Sequence, residues 1–146
     1  MEIISTDVFR NLIGCAIDQT VWGAKVGYGS FLTLNIGLPS DDEPDIGDYY
    51  LWVYCSAWRI EANGKVIASS EDDRDLLDAG AVVLNGRQLA DFTVDPVSLS
   101  AVVSLSGNAR IIIFAIYTQN FEHWKMRLPS GRWVQAGPSN QLILLD

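Results

Sequence analysis

The sequence predicts an α+β domain: a mostly antiparallel sheet of about seven to nine strands, curled or split into two layers, with one main helix near residues 71–84 and a short helix at the amino terminus. Three observations predict it. Short segments rich in β-branched and aromatic residues recur along most of the chain, separated by Gly, Pro, Asn or Ser. Apolar residues at sustained helical spacing occur mainly in one place, as Leu76, Leu77, Gly80, Val83 and Leu84. The chain has 146 residues, 49% of them hydrophobic, which is enough for one core and short for two, so residues 1–146 are read as a single domain.

Taken in order, Thr6 is placed to cap a short helix from Asp7 to Ile13, with Val8 and Leu12 on one side and Gly14 ending it. Val21 to Ile36 reads as a hairpin around Gly27-Tyr28-Gly29, and Pro39 to Asp48 as an acidic surface loop. Tyr49 to Glu61 reads as one long strand, apolar on both faces and therefore buried in the middle of a sheet covered on both sides. Asn63-Gly64 supplies a two-residue turn with positive φ, and Lys65 to Ala68 returns antiparallel.

Ser70 with Asp73 resembles a capping box, and Glu71, Asp72 and Asp73 load the first turn of the main helix with the charge its dipole prefers. That helix extends to about Leu84, with Asn85-Gly86 as its left-handed cap; the competing reading ends it at Gly80 and makes Asn85-Gly86 a hairpin turn. Six short strands follow: Gln88–Asp95, Ser98–Leu105, Arg110–Thr118, Trp124–Leu128, Trp133–Ala136 and Gln141–Leu145. Arg110–Thr118 is apolar on both faces and is expected beside the 49–61 strand in the interior.

The charge is concentrated. There are 10 Lys and Arg against 18 Asp and Glu, a net charge of −8, and residues 41–78 hold eleven of the acids with only three bases. An acidic chain is a poor binder of nucleic acid or of anionic membrane, because both require clustered Lys and Arg. The longest uninterrupted apolar run, Ile111 to Tyr117, is far shorter than the roughly 20 residues of a spanning helix. The amino terminus carries acids where a secretory leader carries bases, which points to the cytoplasm. Cys15 and Cys55 are too few for a disulfide framework and are expected to be reduced and partly buried.

No catalytic, cofactor or metal set emerges. Gly27-Tyr28-Gly29-Ser30 feeds a strand instead of the helix amino terminus that a phosphate cradle needs, and Leu32 breaks the G-x-S-x-G pattern around Ser30. His123, the only histidine, lies in the polar stretch Gln119 to His123 and is expected on the surface. The acidic loop does not match a calcium-loop pattern. Five Trp and five Tyr suit a sugar-stacking platform, yet their strand positions are ordinarily core positions. Two groups remain. Asp41, Asp42, Glu43, Asp45, Asp48, Asp72 and Asp73 are candidates for an acidic partner-binding surface. Arg59 and Glu61, on one face of the long strand, are candidates for a structural charge network, with the acidic start of the helix as the nearest partner for Arg59.

Three stretches, Gly27-Tyr28-Gly29-Ser30-Phe31-Leu32-Thr33, then Leu51-Trp52 with Trp58-Arg59-Ile60-Glu61, then Ser70-Glu71-Asp72, together resemble an uncharacterised family of small bacterial proteins with a G-x-G-S-F-L-T hairpin and an L-W-(x5)-W-R-x-E strand. The resemblance spans most of the chain and implies a bacterial cytoplasmic protein; it carries no activity, cofactor or catalytic residue. The function expected from the residues is a non-catalytic protein-binding module, of immunity or accessory type, for a basic protein partner. Two alternatives stand beside it: a small-ligand-binding or enzymatic domain using a concave aromatic sheet face, and a homo-oligomeric structural protein.

Overall fold

The alternation of buried residues reverses at Tyr54-Cys55, and that reversal makes two strands of what reads as one. In the computed structural model, which describes residues 1–146, the order is β1 (Glu2–Ile4), α1 (Thr6–Leu12), a 3-10 turn at Gly14–Ala16, β2 (Val21–Val26), β3 (Leu32–Pro39), β4 (Gly47–Val53), β5 (Ser56–Ala62), β6 (Lys65–Ser69), α2 (Arg74–Val83), β7 (Leu89–Val94), β8 (Ala101–Leu105), β9 (Ala109–Ala115), β10 (Trp124–Arg127), β11 (Trp133–Ala136) and β12 (Leu142–Leu144). Seven strands form one antiparallel sheet in the order β1-β12-β11-β10-β4-β3-β2; five form a second, β6-β5-β9-β8-β7. The sheet of about seven to nine strands, curled or split into two layers, expected from sequence is thus twelve strands in two sheets.

β4 buries Gly47, Tyr49, Leu51 and Val53, whereas β5 buries Ser56, Trp58, Ile60 and Ala62. The parity flips at Tyr54 and Cys55, whose N–H groups donate to the carbonyls of His123 and Glu122 at 3.0 and 3.2 Å. Each strand therefore has one inward face, and only the joining of opposite phases makes residues 49–61 look apolar on both. The predicted long central strand is corrected accordingly. β9 does lie beside β5, but it too is one-sided: Ile111 and Ile113 face in, while Phe114 faces out and is 61% exposed.

The two sheets share one core of 35 buried residues. Trp124 of β10 meets Phe92 of β7 and Phe9 of α1 at ring separations of 5.3 and 5.2 Å, so an aromatic trio ties both sheets to the first helix. α2 packs against β2 and β6, one edge strand of each sheet, where Gly80 meets Ala68.

Two boundaries differ from expectation, and a third, the end of α2, agrees with it. Ser5, not Thr6, caps α1, its hydroxyl accepting from the Val8 N–H at 3.1 Å, and the helix buries Phe9 where Val8 and Leu12 were expected. α2 starts at Arg74, because the preceding residues serve β5 and β6: the Ser70 hydroxyl accepts from the Trp58 N–H, and the Asp72 carboxylate from the Ser69 N–H. At its other end α2 runs to Val83, so the helix continues past Gly80, and Gly86 follows with φ of +85°. β1, which pairs with β12, was not anticipated from sequence.

Candidate functional site

The outer face of the seven-stranded sheet is built in rungs. One rung aligns Lys25, Thr33, Trp52, Lys125 and Gln135 across β2, β3, β4, β10 and β11; the next aligns Asn35, Tyr50, Arg127 and Trp133. Directly opposed side chains on one sheet face stand about 5 Å apart, close enough to act as one surface. Phe31 and Tyr28 join from the β2–β3 turn, and Glu43 and Ile46 from the β3–β4 loop. Together these elements line an open groove of about 390 Å³, with Lys25 toward one side and Glu43 in the loop.

The aromatic rings hold one another. Phe31 stacks on Tyr54 at 5.0 Å, Trp52 meets Tyr54 edge-on at 5.1 Å, and Tyr50 meets Trp133 edge-on at 6.1 Å. The Lys125 ammonium sits 5.5 Å from the Trp52 ring centre and 5.4 Å from that of Tyr54, and 3.5 Å from a Glu122 carboxylate oxygen. Rings so pinned present a fixed shape, which lowers the ordering cost of contact with another molecule.

Hydrogen bonding separates this face from the core. Trp22, Trp58 and Trp124 donate their indole N–H groups to the carbonyls of Gly37, Ser30 and Leu99, at 2.7, 2.7 and 2.9 Å. Trp52 and Trp133, the two tryptophans of the groove, donate to nothing within the chain. The Thr33 hydroxyl, on a residue only 8% exposed, also has no partner. Beside the groove, Arg127 is buried with its Nη2 3.2 Å from Asp42 and its Nη1 unpartnered. The Ser40 hydroxyl, the loop backbone and Arg127 hold the Asp42 carboxyl below its usual range.

The candidate acids fall in two groups along the chain. Asp41, Glu43 and Asp45 are exposed in the loop after β3, Asp42 is engaged by Arg127 and Ser40, and Asp48 is half-buried in β4. Asp72 and Asp73 stand at the start of α2, whose Arg74 donates to the carbonyls of Val26, Gly27 and Gly29 ahead of β3. One group therefore follows β3, and the other is tied through Arg74 to the turn that precedes it.

Arg59 and Glu61 lie on the outer face of the smaller sheet. Glu61 receives the Arg59 guanidinium at 2.7 Å and the Nε–H of Arg110, its cross-strand neighbour on β9, at 2.7 Å. The Arg110 hydrogen bond, and then the charges of both arginines, draw the Glu61 carboxyl below its usual value. The expected partner for Arg59, the acidic helix start, is replaced by Glu61 itself, two residues along the same face.

His123 is not on the surface. It is 1% exposed, with Nε2 2.8 Å from the Ser139 carbonyl, which places the ring proton on Nε2 and leaves Nδ1 without a partner. Gly137, at φ +85°, covers the ring so closely that a Cβ there would stand 2.8 Å from it. No Ser hydroxyl, Cys thiol or carboxylate hydrogen-bonds this imidazole, and no three His, Cys, Asp or Glu side chains gather as a metal set. Cys15 is exposed where partial burial was expected, and Cys55 is half-buried; both are free thiols.

The sequence offers an aromatic sheet face only as an alternative and does not single out its residues, because Tyr50, Trp52 and Tyr54 read as part of a doubly covered strand. The available signal was their i, i+2, i+4 spacing on the face opposite Tyr49, Leu51 and Val53. No protein-family model matches the chain, and neither the comparison with curated proteins nor that with solved structures gave a match. No helix is long and apolar enough to cross a membrane.

Proposed function

We propose that the protein is a non-catalytic binding domain that meets its partner through the aromatic groove on the outer face of the seven-stranded sheet. The observation that carries the reading is the division among the five tryptophans: three spend their N–H groups on backbone carbonyls, while the two in the groove keep theirs free. Aromatic rings with unspent donors, on a face supported by rigid strands, suit recognition of a molecule that brings apolar surface and acceptors together. The groove lining pairs no nucleophile with a base, and the single imidazole is engaged elsewhere.

A fragment screen followed through the indole N–H resonances of ¹⁵N-labelled protein tests this reading. Small aromatic amides at millimolar concentration should shift the Trp52 and Trp133 signals and leave those of Trp22, Trp58 and Trp124 in place. Hits confined to other surfaces would overturn it.

A second reading, self-association, is favoured by the outer face of the smaller sheet. There the outward Phe114 is exposed beside Ile112, and Ile116 is exposed just past the end of β9, leaving an uncovered apolar patch. Sedimentation velocity should then give a dimer mass that Phe114→Ser returns to monomer; a wild-type monomer at 100 μM or so counts against it.

A further inference from the structure

We infer that the groove takes a proline-rich segment in the extended polyproline conformation, carrying an Arg or Lys beside its prolines; this inference rests on the groove being the binding surface. Four observations lead there.

The groove floor is a sheet face, not an edge. Its backbone groups are already spent in the β2–β3, β3–β4, β4–β10 and β10–β11 ladders, so a partner cannot be held as an added strand. It must be held by side chains packing on rings and by hydrogen bonds from the side chains of the groove.

The groove offers more donors than acceptors. Trp52 and Trp133 have free indole N–H groups, the Thr33 hydroxyl is unpartnered and nine-tenths buried, and Lys25 adds an ammonium. Against these stand one group that only accepts, the Glu43 carboxylate, and the hydroxyls of Tyr28, Tyr50 and Thr33, which serve either way. A proline-rich chain is the complementary ligand: its imide carbonyls are strong acceptors, its prolines lack N–H, and its conformation makes no internal hydrogen bonds.

The rings are spaced for such a chain. From Lys25 on β2 to Trp133 on β11 the groove crosses five strands, roughly 19 Å at the usual strand spacing. At about 3.1 Å per residue that accommodates about six residues of polyproline helix, whose rings pack between Tyr28, Phe31, Trp52, Tyr50 and Trp133. Because both partners are stiff beforehand, little conformational freedom is lost on contact.

The charge is set for a basic flank. Glu43 lines the groove, and Asp41 and Asp45 lie exposed in the same short loop, on a chain of net charge −8. A cation on the ligand where it passes this loop meets Glu43, and the exposed Asp41 and Asp45 add to the field that steers it, acting on encounter rate as well as on affinity.

The test is a titration of ¹⁵N-labelled full-length protein with four synthetic ligands: a hexaproline flanked by Arg, the same peptide flanked by Glu, an Arg-flanked Gly-Ser hexamer, and a linear glucose hexamer. The Arg-flanked hexaproline should shift the Trp52 and Trp133 indole signals and bind at least about tenfold more tightly than the Gly-Ser peptide, which lacks the preformed helix. The Glu-flanked peptide should bind about two- to fivefold more weakly than its Arg counterpart, and Glu43→Gln should narrow that gap. Trp133→Phe, which keeps a ring and removes the donor, should weaken the proline peptide while the other indole signals hold their folded positions.

Each alternative result is decisive. If the glucose hexamer moves the groove indoles and the proline peptide does not, the polyproline assignment fails and the groove remains the binding surface. If equal affinities are found for the Arg and Glu peptides, the basic flank is overturned. If neither peptides, sugar nor aromatic fragments move Trp52 and Trp133, both the partner and the groove reading fall.

Discussion

Gly80 of α2 lies so close to Ala68 of β6 that a Cβ built on the glycine would stand 2.5 Å from the Ala68 methyl. The helix that leans on an edge strand of each sheet thus meets β6 at a residue without a side chain. In an open helix, Gly→Ala stabilises by about 1 kcal/mol. Here overpacking outweighs the gain, since the opposing atoms are a methyl carbon and the strand behind it. Gly80→Ala should destabilise the protein by about 1–2 kcal/mol net, read as a lower urea midpoint with an unchanged slope.

Ser70 and Asp73 exchange the roles that helix grammar suggests. The Ser70 hydroxyl accepts from the buried Trp58 N–H at 3.1 Å, while Asp73 holds the cap position of α2 without a side-chain hydrogen bond. Ser70→Ala should therefore cost about 1–3 kcal/mol by orphaning that N–H. Asp73→Ala should cost under about 0.5 kcal/mol, as an exposed site without a specific contact does. Paired urea melts decide it: a larger loss for Asp73→Ala would contradict the assignment.

The Glu61 carboxyl titrates below its ordinary value because Arg110 hydrogen-bonds it and both arginines face it. Its contribution to stability is fully present above the unfolded value of about 4.3 and is lost as pH falls through the lower native value. The melting temperature of Glu61→Gln should lie below that of wild type at pH 7, and the two curves should converge under acid conditions. A gap that persists unchanged at pH 2 would remove this ion pair from the acid-lability of the fold.

Thiol chemistry should distinguish the two cysteines. Burial, and then the Glu122 charge, push the Cys55 thiol up, while Cys15 is exposed. Ellman's reagent at pH 8 should label Cys15 quickly and Cys55 slowly until denaturant is added. Cys15→Ser should abolish the fast phase.

Trp124 is fully buried, packed on Phe9 and Phe92, and donates to the Leu99 carbonyl, where Leu99 itself holds a left-handed φ of +63°. Trp124→Phe should cost about 2–4 kcal/mol, combining a void with a stranded carbonyl. Thermal melts of the two proteins measure it.

Much of the secondary structure was legible in local chemistry. The Asn63-Gly64 turn forms with φ of +53° and +76°, the β2–β3 hairpin bends at Gly27-Tyr28-Gly29, and Trp133–Ala136 is a strand with the predicted bounds. What failed required knowledge of the opposite wall. Phase could not be read through Tyr54-Cys55, because a run of aromatics looks equally apolar whichever way it points. Ser70 looked like a helix cap because its Trp58 partner is twelve residues back on another strand. His123 looked solvent-facing because its neighbours are polar, whereas the segment carrying Gly137 and Ser139 folds over it. The aromatic groove was hidden by the same ambiguity: sequence names the rings but not the side of the sheet on which they emerge.

The two-residue joint between β4 and β5 makes the chain's length there a constraint in its own right. Deleting Tyr54 or Cys55 alone would ask β5 to turn over, sending Trp58 and Ile60 toward water and Arg59 and Glu61 toward the hydrophobic interior. Removing both preserves which way the side chains point and shortens only the span between the sheets. Tolerance to insertion and deletion at this corner should accordingly follow an odd–even rule, a form of spacing selection that no substitution scan would detect.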